Sequence, residues 1–126
     1  MVEPAHKLTL TPKELGNFFA RQRNALGLSQ GQIAKTLSYA NANFISMIES
    51  GRSKIPIGRV DDFVSVYQLS PEFTFVAMQV LYPDFLETIL KLSKRAPKIF
   101  KDTLKNTDEE IFGIYSNAEM KLKSAN

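Results

Sequence analysis

The sequence has no cysteine and a single histidine, His6, among its 126 residues. Without cysteine, disulfides and thiolate metal sites are excluded, and one histidine leaves little basis for a histidine-based metal site or catalytic centre. A chain without disulfides is typical of a reducing compartment.

Long apolar runs are missing as well. No run reaches the roughly 18 residues that a membrane helix needs. The first ten residues, MVEPAHKLTL, lack the apolar core of a signal peptide. We therefore expect a soluble, cytoplasmic protein that makes no membrane contact.

Sequence signatures of common enzyme classes are also lacking. There is no glycine-rich phosphate loop and no Cys-His ligand set. The acidic groups at residues 61–62 and 108–110 are explained as helix starts, where carboxylates suit the positive end of the helix dipole. We expect no enzymatic activity, no metal site and no cofactor.

What the sequence does contain is a helix-turn-helix pattern at residues 28–51, LSQGQIAKTLSYANANFISMIESG. Ser29 can cap the first short helix with Gln32 as its capping-box partner, and Asn41 can cap the second. Gly51 can end the second helix in a left-handed conformation. Apolar residues recur at helical spacing in both helices, at Ile33, Ala34 and Leu37 and then at Phe44, Ile45 and Ile48. This is the layout of a DNA-reading helix-turn-helix.

Helices are predicted on both sides of this motif. Thr11-Pro12-Lys13-Glu14 predicts a helix start and Gly27 its end, with Arg21 and Arg23 on the exposed side. A fourth helix, at about residues 58–68, presents Val60, Phe63, Val64 and Tyr67 to the core. In a fifth, residues 73–82, only Thr74 and Gln79 are not apolar, which predicts burial on more than one side.

The remainder of the chain predicts further helices. Asp84 begins one that Pro97 closes, and Thr107 with Glu110 predicts the capping box of the last. Residues 98–106 have no clear assignment. We expect an all-α protein, with a five-helix helix-turn-helix DNA-binding domain at residues 11–82 and a C-terminal helical extension at residues 83–126 that pairs two chains or binds a partner.

The formal charge of +3 is distributed unevenly. Residues 1–70 contain eight Lys and Arg against five Asp and Glu, whereas residues 71–126 contain eight of each. The positive excess therefore lies with the predicted DNA-binding part.

Several motifs occur together in the order known from one family. LSQ opens the first motif helix, Ala34 stands where two helices approach closely, and FISMIESG is followed by RSKIP. On these matches residues 15–70 resemble the lambda-repressor/Cro-like helix-turn-helix family of XRE-type regulators. The family commonly has glycine near Ser38, and the turn here is one residue longer. The resemblance implies transcriptional regulation, most often repression.

Five residues at and before the second motif helix are candidates for contacting DNA. The Asn43 amide can donate and accept together, which matches the N6 and N7 edge of adenine. Ala42 is a candidate for a thymine methyl, Ser46 for a phosphate and Met47 for a base edge. Asn41 belongs to the same candidate DNA-binding set, although a helix cap explains it better.

Four further residues are candidates for phosphate contact. Given the family resemblance, Gln30 at the start of the first motif helix is expected to hold a phosphate with the backbone amides. Arg52, Lys54 and, with less support, Arg59 follow the second motif helix, where neutralising phosphates releases counterions. A basic loop is more often simply solvated, so its position beside the motif is what favours a DNA role.

The sequence therefore predicts a sequence-specific double-stranded DNA-binding regulator, acting as a homodimer on a roughly two-fold symmetric site. The alternative is an antitoxin-like or other protein-interaction role, in which the C-terminal helices bind a partner protein.

Overall fold

The computed structural model describes residues 10–103 and 108–124. All regular elements within these residues are helical, which confirms the all-α prediction. In chain order they are α1 (Pro12–Ala25), α2 (Gln30–Thr36), α3 (Asn43–Glu49), a short 3-10 turn (Ile57–Arg59), α4 (Val60–Val66), α5 (Phe73–Leu81), α6 (Pro83–Arg95), α7 (Pro97–Thr103) and α8 (Asp108–Ser124).

The starts of α1 and α2 are fixed by capping boxes. The Glu14 N–H donates to Thr11 Oγ1 at 3.1 Å, and the Ser29 N–H donates to Gln32 Oε1 at 2.7 Å. In both boxes the reciprocal bond is present, so two otherwise unpaired N–H groups are satisfied at each helix start. Both predicted starts are confirmed.

The turn between α2 and α3 departs in detail from its prediction. Ala42, not Asn41, is the N-cap of α3, and no side chain bonds the cap position. The Asn41 side chain instead accepts a hydrogen bond from the Asn43 N–H at 2.9 Å. Asn41, one residue before the N-cap, thereby satisfies one of the unpaired N–H groups at the start of α3. Ser38 adopts a left-handed conformation (φ 65°) at the place where the family commonly has glycine. Gly51 ends α3 with φ 77°, as predicted.

The first compact unit of the chain extends to Leu86, and its core lies among α1 to α5. Tyr67, Phe19 and Phe63 are its largest fully buried side chains. Phe19 and Tyr67 meet edge to face at 4.7 Å between ring centroids. The four residues predicted for the core face of the fourth helix are all buried, Val60, Phe63, Val64 and Tyr67.

Helix α5 contributes one face to this core. Ala77 and Leu81 are buried, and the Phe73 ring stacks on Phe18 at 4.9 Å. On its other side Phe75 is 65% exposed in the described structure. Within the first unit, therefore, no second covering surface is supplied for this side of α5.

The second compact unit begins at Glu87, within α6. Helix α6 ends at Arg95, before Pro97, as predicted. Residues 97–103, most of which had no assignment from sequence, form α7 with Pro97 at its first position, where its fixed φ suits a helix start. The predicted cap Thr107 lies outside the described residues. The boundary at residue 82 between two domains stays a prediction about the chain.

No single helix of the described chain is both long and apolar enough to cross a membrane. Helices α5 and α6 meet the length and composition test only when taken together as a broken pair, and a buried core helix meets such a test too.

Gly16 lies where α1 approaches α3 closely and gives a test of this packing. A Cβ atom at Gly16 would lie 2.5 Å from the Ile48 carbonyl oxygen and 2.6 Å from that of Glu49. We expect Gly16→Ala to lower the free energy of unfolding by about 1–3 kcal/mol, because backbone must move to admit the methyl group. This expected loss already includes the gain from alanine's higher helix propensity. Urea denaturation measures it.

Gly58 provides the control. A Cβ atom there has no neighbour within 4 Å, so Gly58→Ala should leave the urea midpoint unchanged or slightly higher. Equal midpoints for the two variants would show that α1 and α3 do not pack this closely.

Candidate nucleic-acid interface

Helix α3 has one face in the core and one face in solvent. Ile45, Ile48 and Glu49 are buried, with exposures of 0%, 4% and 5%. Asn43 is exposed on the opposite side, Met47 is 39% exposed, and Ser46 is half-buried between them. Three of the side chains predicted to contact DNA therefore share one surface, which we call the α3 outer face, made of Asn43, Ser46 and Met47.

Asn43 is held by its backbone and not by its side chain. Its N–H donates to Asn41 Oδ1, whereas its side-chain amide has no hydrogen-bond partner among the described residues. Asn41 is thereby occupied with the backbone, and Ala42 is half-buried at the cap. Of these three, Asn43 presents a polar group that is available for a base.

The chain after α3 carries two exposed cations beside this surface. The N–H groups of Arg52 and Ser53 both donate to the Met47 carbonyl, at 2.9 and 3.1 Å, so the loop folds back against the helix end. The Arg52 side chain donates to Ser50 Oγ at 3.0 Å. Neither Arg52 nor Lys54 forms an ion pair within the described structure.

The position of Lys54 is set by the residue that follows it. Ile55 is fully buried, and its carbonyl accepts a 2.6 Å hydrogen bond from the Tyr82 hydroxyl. The Lys54 ammonium lies 5.5 Å from the centre of the same Tyr82 ring. The cation is exposed, but the backbone that carries it is anchored in the core.

Arg59 has a different environment from the other cations. Its guanidinium donates to the Leu37 carbonyl at 2.8 Å, faces Asp62 at 3.4 Å and lies 5.0 Å from the centre of the Tyr39 ring. These contacts brace the turn between α2 and α3. A phosphate contact by Arg59 stays a prediction, and the contacts described give it a structural role.

Glu49 lies at the centre of a buried polar cluster that also includes Arg23, Gln30 and Tyr67. Arg23 forms a two-pronged ion pair with the Glu49 carboxylate, with Nε–Oε2 and Nη2–Oε1 distances of 2.8 Å each. The Tyr67 hydroxyl donates to Glu49 Oε2 at 2.6 Å, and the Gln30 amide donates to Oε1 at 3.0 Å. The cluster joins α1, α2, α3 and the residue after α4.

This cluster corrects one prediction and bears on another. Arg23 is not on the exposed side of its helix, since its side chain is only 12% exposed; Arg21 is exposed. The Gln30 side chain donates to Glu49 rather than pointing only into solvent. A phosphate contact by Gln30, through its backbone N–H or through its side-chain amide, stays a prediction. Glu49 itself was missed. Glu49 lies four residues after Ile45 and therefore on the core face of the helix. Because a buried carboxylate needs a partner, this spacing was a usable signal of a buried polar contact.

The cluster shifts the pKa values of its members. Burial by itself would raise the pKa of Glu49, but the hydrogen bonds from Arg23, Tyr67 and Gln30 and the charge of Arg23 outweigh it, so the pKa lies below its usual range. Hydrogen bonding to Glu49 raises the pKa of Arg23. Burial, followed by the hydrogen bond to Glu49, raises the pKa of Tyr67. Each shift favours the charged pair with a neutral tyrosine.

The chain is similar to a known protein family. The model of a family described as a helix-turn-helix domain matches residues 14–73. No curated protein and no solved structure matches the chain. The matched segment contains α1 from its third residue onward, all of α2, α3 and α4, and the whole Glu49 cluster.

Replacing Glu49 with glutamine tests the cluster. We expect Glu49→Gln to lower the free energy of unfolding by about 3–5 kcal/mol, because Arg23 then stays buried without its counter-charge. Urea denaturation at pH 7 measures this. Glu72 is exposed and supplies the matched control: Glu72→Gln removes the same charge and should change stability by less than about 0.5 kcal/mol. Equal losses in the two variants would contradict the role given to the pair.

The lowered pKa of Glu49 predicts that the stability of the wild type and that of Glu49→Gln depend differently on pH. A carboxyl group whose pKa is lowered by folding stabilises the fold above its unfolded-state pKa of about 4.3, and the contribution is lost as pH falls through the folded pKa. Wild-type stability should therefore fall more steeply below about pH 5 than that of Glu49→Gln. Tyr67 has the opposite sign: its raised pKa stabilises the fold below its unfolded-state pKa of about 10, and this is lost at higher pH.

Proposed function

Because residues 14–73 are a helix-turn-helix domain of the lambda-repressor/Cro-like kind, we propose that the chain binds double-stranded DNA at specific sequences and regulates transcription as a dimeric repressor. The observation that carries this proposal is the α3 outer face. It presents the Asn43 amide and the exposed Met47 side chain, next to the cations Arg52 and Lys54; among residues 10–103 and 108–124 the amide has no hydrogen-bond partner and the two cations have no ion-pair partner.

The two kinds of group match the two parts of DNA recognition. Hydrogen bonds and apolar contacts to base edges carry sequence information, whereas cations on phosphates supply affinity and fix orientation. A helix whose outer face is uncharged, followed by a loop with exposed cations, provides both within one short segment. The backbone anchor at Ile55 lets Lys54 contact phosphate from a fixed position.

Lys54→Ala tests the phosphate contact. We expect weaker binding to all duplex sequences and a log–log salt slope that is less negative by about one unit, because one fewer counterion is released. Fluorescence anisotropy titrations at several salt concentrations measure the slope. Lys101, exposed on α7 outside the matched segment, gives the control, and Lys101→Ala should leave the slope unchanged. If Lys54→Ala and Arg52→Ala both leave the slope unchanged, the loop is not part of the interface.

A dimer is the second part of the proposal. One recognition helix reads only a few base pairs, and two-fold related helices reach half-sites roughly 34 Å apart. Phe75 in the first unit and Leu90 in the second are large apolar side chains, 65% and 53% exposed. Apolar surface of this kind is commonly covered by another chain. We assign the pairing surface to α5 together with the helices after it.

Phe75→Glu tests this assignment. Because Phe75 is exposed in the chain, the charge should leave the fold intact and prevent close pairing of two apolar surfaces. We expect the wild-type protein to sediment as a dimer at tens of micromolar, and the variant as a monomer with reduced DNA affinity. Ile57, 42% exposed on the 3-10 turn, supplies the control Ile57→Glu. A monomeric wild-type protein that binds specific DNA with full affinity would contradict the dimer.

A protein-interaction role is the second candidate function. On α8, Phe112 and Tyr115 are 66% and 62% exposed, with ring centroids 6.3 Å apart. Paired exposed aromatic rings are common in protein interfaces. An antitoxin-like chain would use them to bind a partner protein, and selection against a random DNA pool would then enrich no sequence.

A further inference from the structure

We propose that α3 reads A·T base pairs in the major groove, with Asn43 on adenine and Met47 on the methyl group of thymine. This inference rests on the proposed DNA-binding function and names the bases that the site prefers. It follows from which chemical groups the α3 outer face presents and which it lacks.

The first argument concerns guanine. Its major-groove edge offers two acceptors, N7 and O6, which are commonly bound by the paired donors of arginine or by lysine. The sequence has no arginine or lysine between Lys35 and Arg52, so α3 and the turn before it carry none. The α3 outer face consists of an amide, a hydroxyl and a thioether. It therefore lacks the usual guanine-reading group.

The neighbouring donors are committed elsewhere. The Gln30 amide donates to Glu49 at 3.0 Å, and the Arg59 guanidinium donates to the Leu37 carbonyl at 2.8 Å. Arg23 is held in its buried ion pair. Two exposed cations follow α3 in the chain, Arg52 and Lys54. Arg52 is bonded to Ser50 at the far end of the helix from Asn43, and the Lys54 ammonium lies 5.5 Å from the centre of the Tyr82 ring.

Asn43 fits adenine. A side-chain amide has one donor group and one acceptor, which match the N6 amino group and N7 of adenine in a bidentate pair. The Asn43 amide has no protein partner among the described residues, and its backbone is fixed by Asn41. Binding adenine would thus break no hydrogen bond within the described domain.

Met47 fits thymine. It lies four residues after Asn43 and so on the same side of the helix. It is 39% exposed, whereas Ile45, two residues before it, and Ile48, directly after it, are 4% exposed or less. The C5 methyl group of thymine is the apolar feature of the major-groove edge. A flexible thioether side chain adapts well to such a contact.

The spacing allows both contacts at once. Four residues of α-helix rise about 6 Å, and stacked bases rise about 3.4 Å per step. Asn43 and Met47 can therefore reach bases one or two steps apart. The expected half-site has neighbouring A·T pairs where α3 lies in the groove.

The experiment starts with the full-length protein and a random duplex DNA pool. We expect the selected half-site to contain A·T pairs at the positions that respond to α3 substitutions. Deoxyuridine then replaces each thymine of that site in turn, which removes only the methyl group. One replacement should weaken wild-type binding about fourfold, the equivalent of one buried methyl group. Met47→Ala should bind the thymine and deoxyuridine sites equally.

The adenine contact has its own probe. Asn43→Ala should weaken binding to the selected site on the order of tenfold, while nonspecific binding barely changes. Replacing the contacted adenine by 7-deazaadenine should weaken wild-type binding and add nothing to the loss in the variant. Asn17, exposed on α1, gives the control Asn17→Ala, which should bind like the wild type.

The possible outcomes distinguish a failure of the A·T preference from a failure of the proposed DNA binding. A selected half-site with G·C pairs at the α3 positions, or wild-type binding insensitive to every deoxyuridine, overturns the A·T inference and leaves DNA binding intact. A guanine preference that Arg52→Ala abolishes would assign base reading to the loop and overturn it as well. If no sequence is enriched from the pool, the proposed function itself fails.

Discussion

The carboxylate of Glu49 faces the interior of the domain and accepts hydrogen bonds from Arg23, Gln30 and Tyr67. These partners come from α1, from α2 and from the residue after α4. A buried charge without such partners is strongly destabilising. The observed packing of the helices brings all three groups to one carboxylate, so this cluster stabilises the relation of α2 to α3 together with apolar packing.

The same constraint shapes the outer surface of α3. Glu49 is the only charged residue of that helix, and it is turned inward with the arginine that neutralises it. The outer face is left uncharged, and the exposed cations begin only at Arg52. The charges that stabilise the core and the exposed cations of the loop are thus different residues, so replacing Arg52 or Lys54 removes no partner of Glu49.

Local signals were enough to predict much of this domain. The capping boxes at Thr11 and Ser29 and the left-handed Gly51 involve residues within a few positions of one another, so their patterns are visible in the sequence. The Arg23–Glu49 pair joins residues 26 positions apart, and helical spacing alone put Arg23 outside. The cap of α3 was misplaced by one residue, because an asparagine side chain can satisfy a helix N–H from either of two positions. No comparison tests the DNA-contact roles themselves, which stay predictions.

Helix α5 shows why composition alone could not decide between core and interface. Its nearly uniform apolar sequence indicates two covered sides, and the core covers one of them, at Ala77 and Leu81. A helix that needed only to complete this core would be stable with a polar residue in place of Phe75, since that side chain is mostly in solvent. Exposing a phenylalanine costs solubility without improving the packing of the domain. An exposed apolar side chain of this size is commonly covered by another chain, and the proposed dimer accounts for Phe75 in this way.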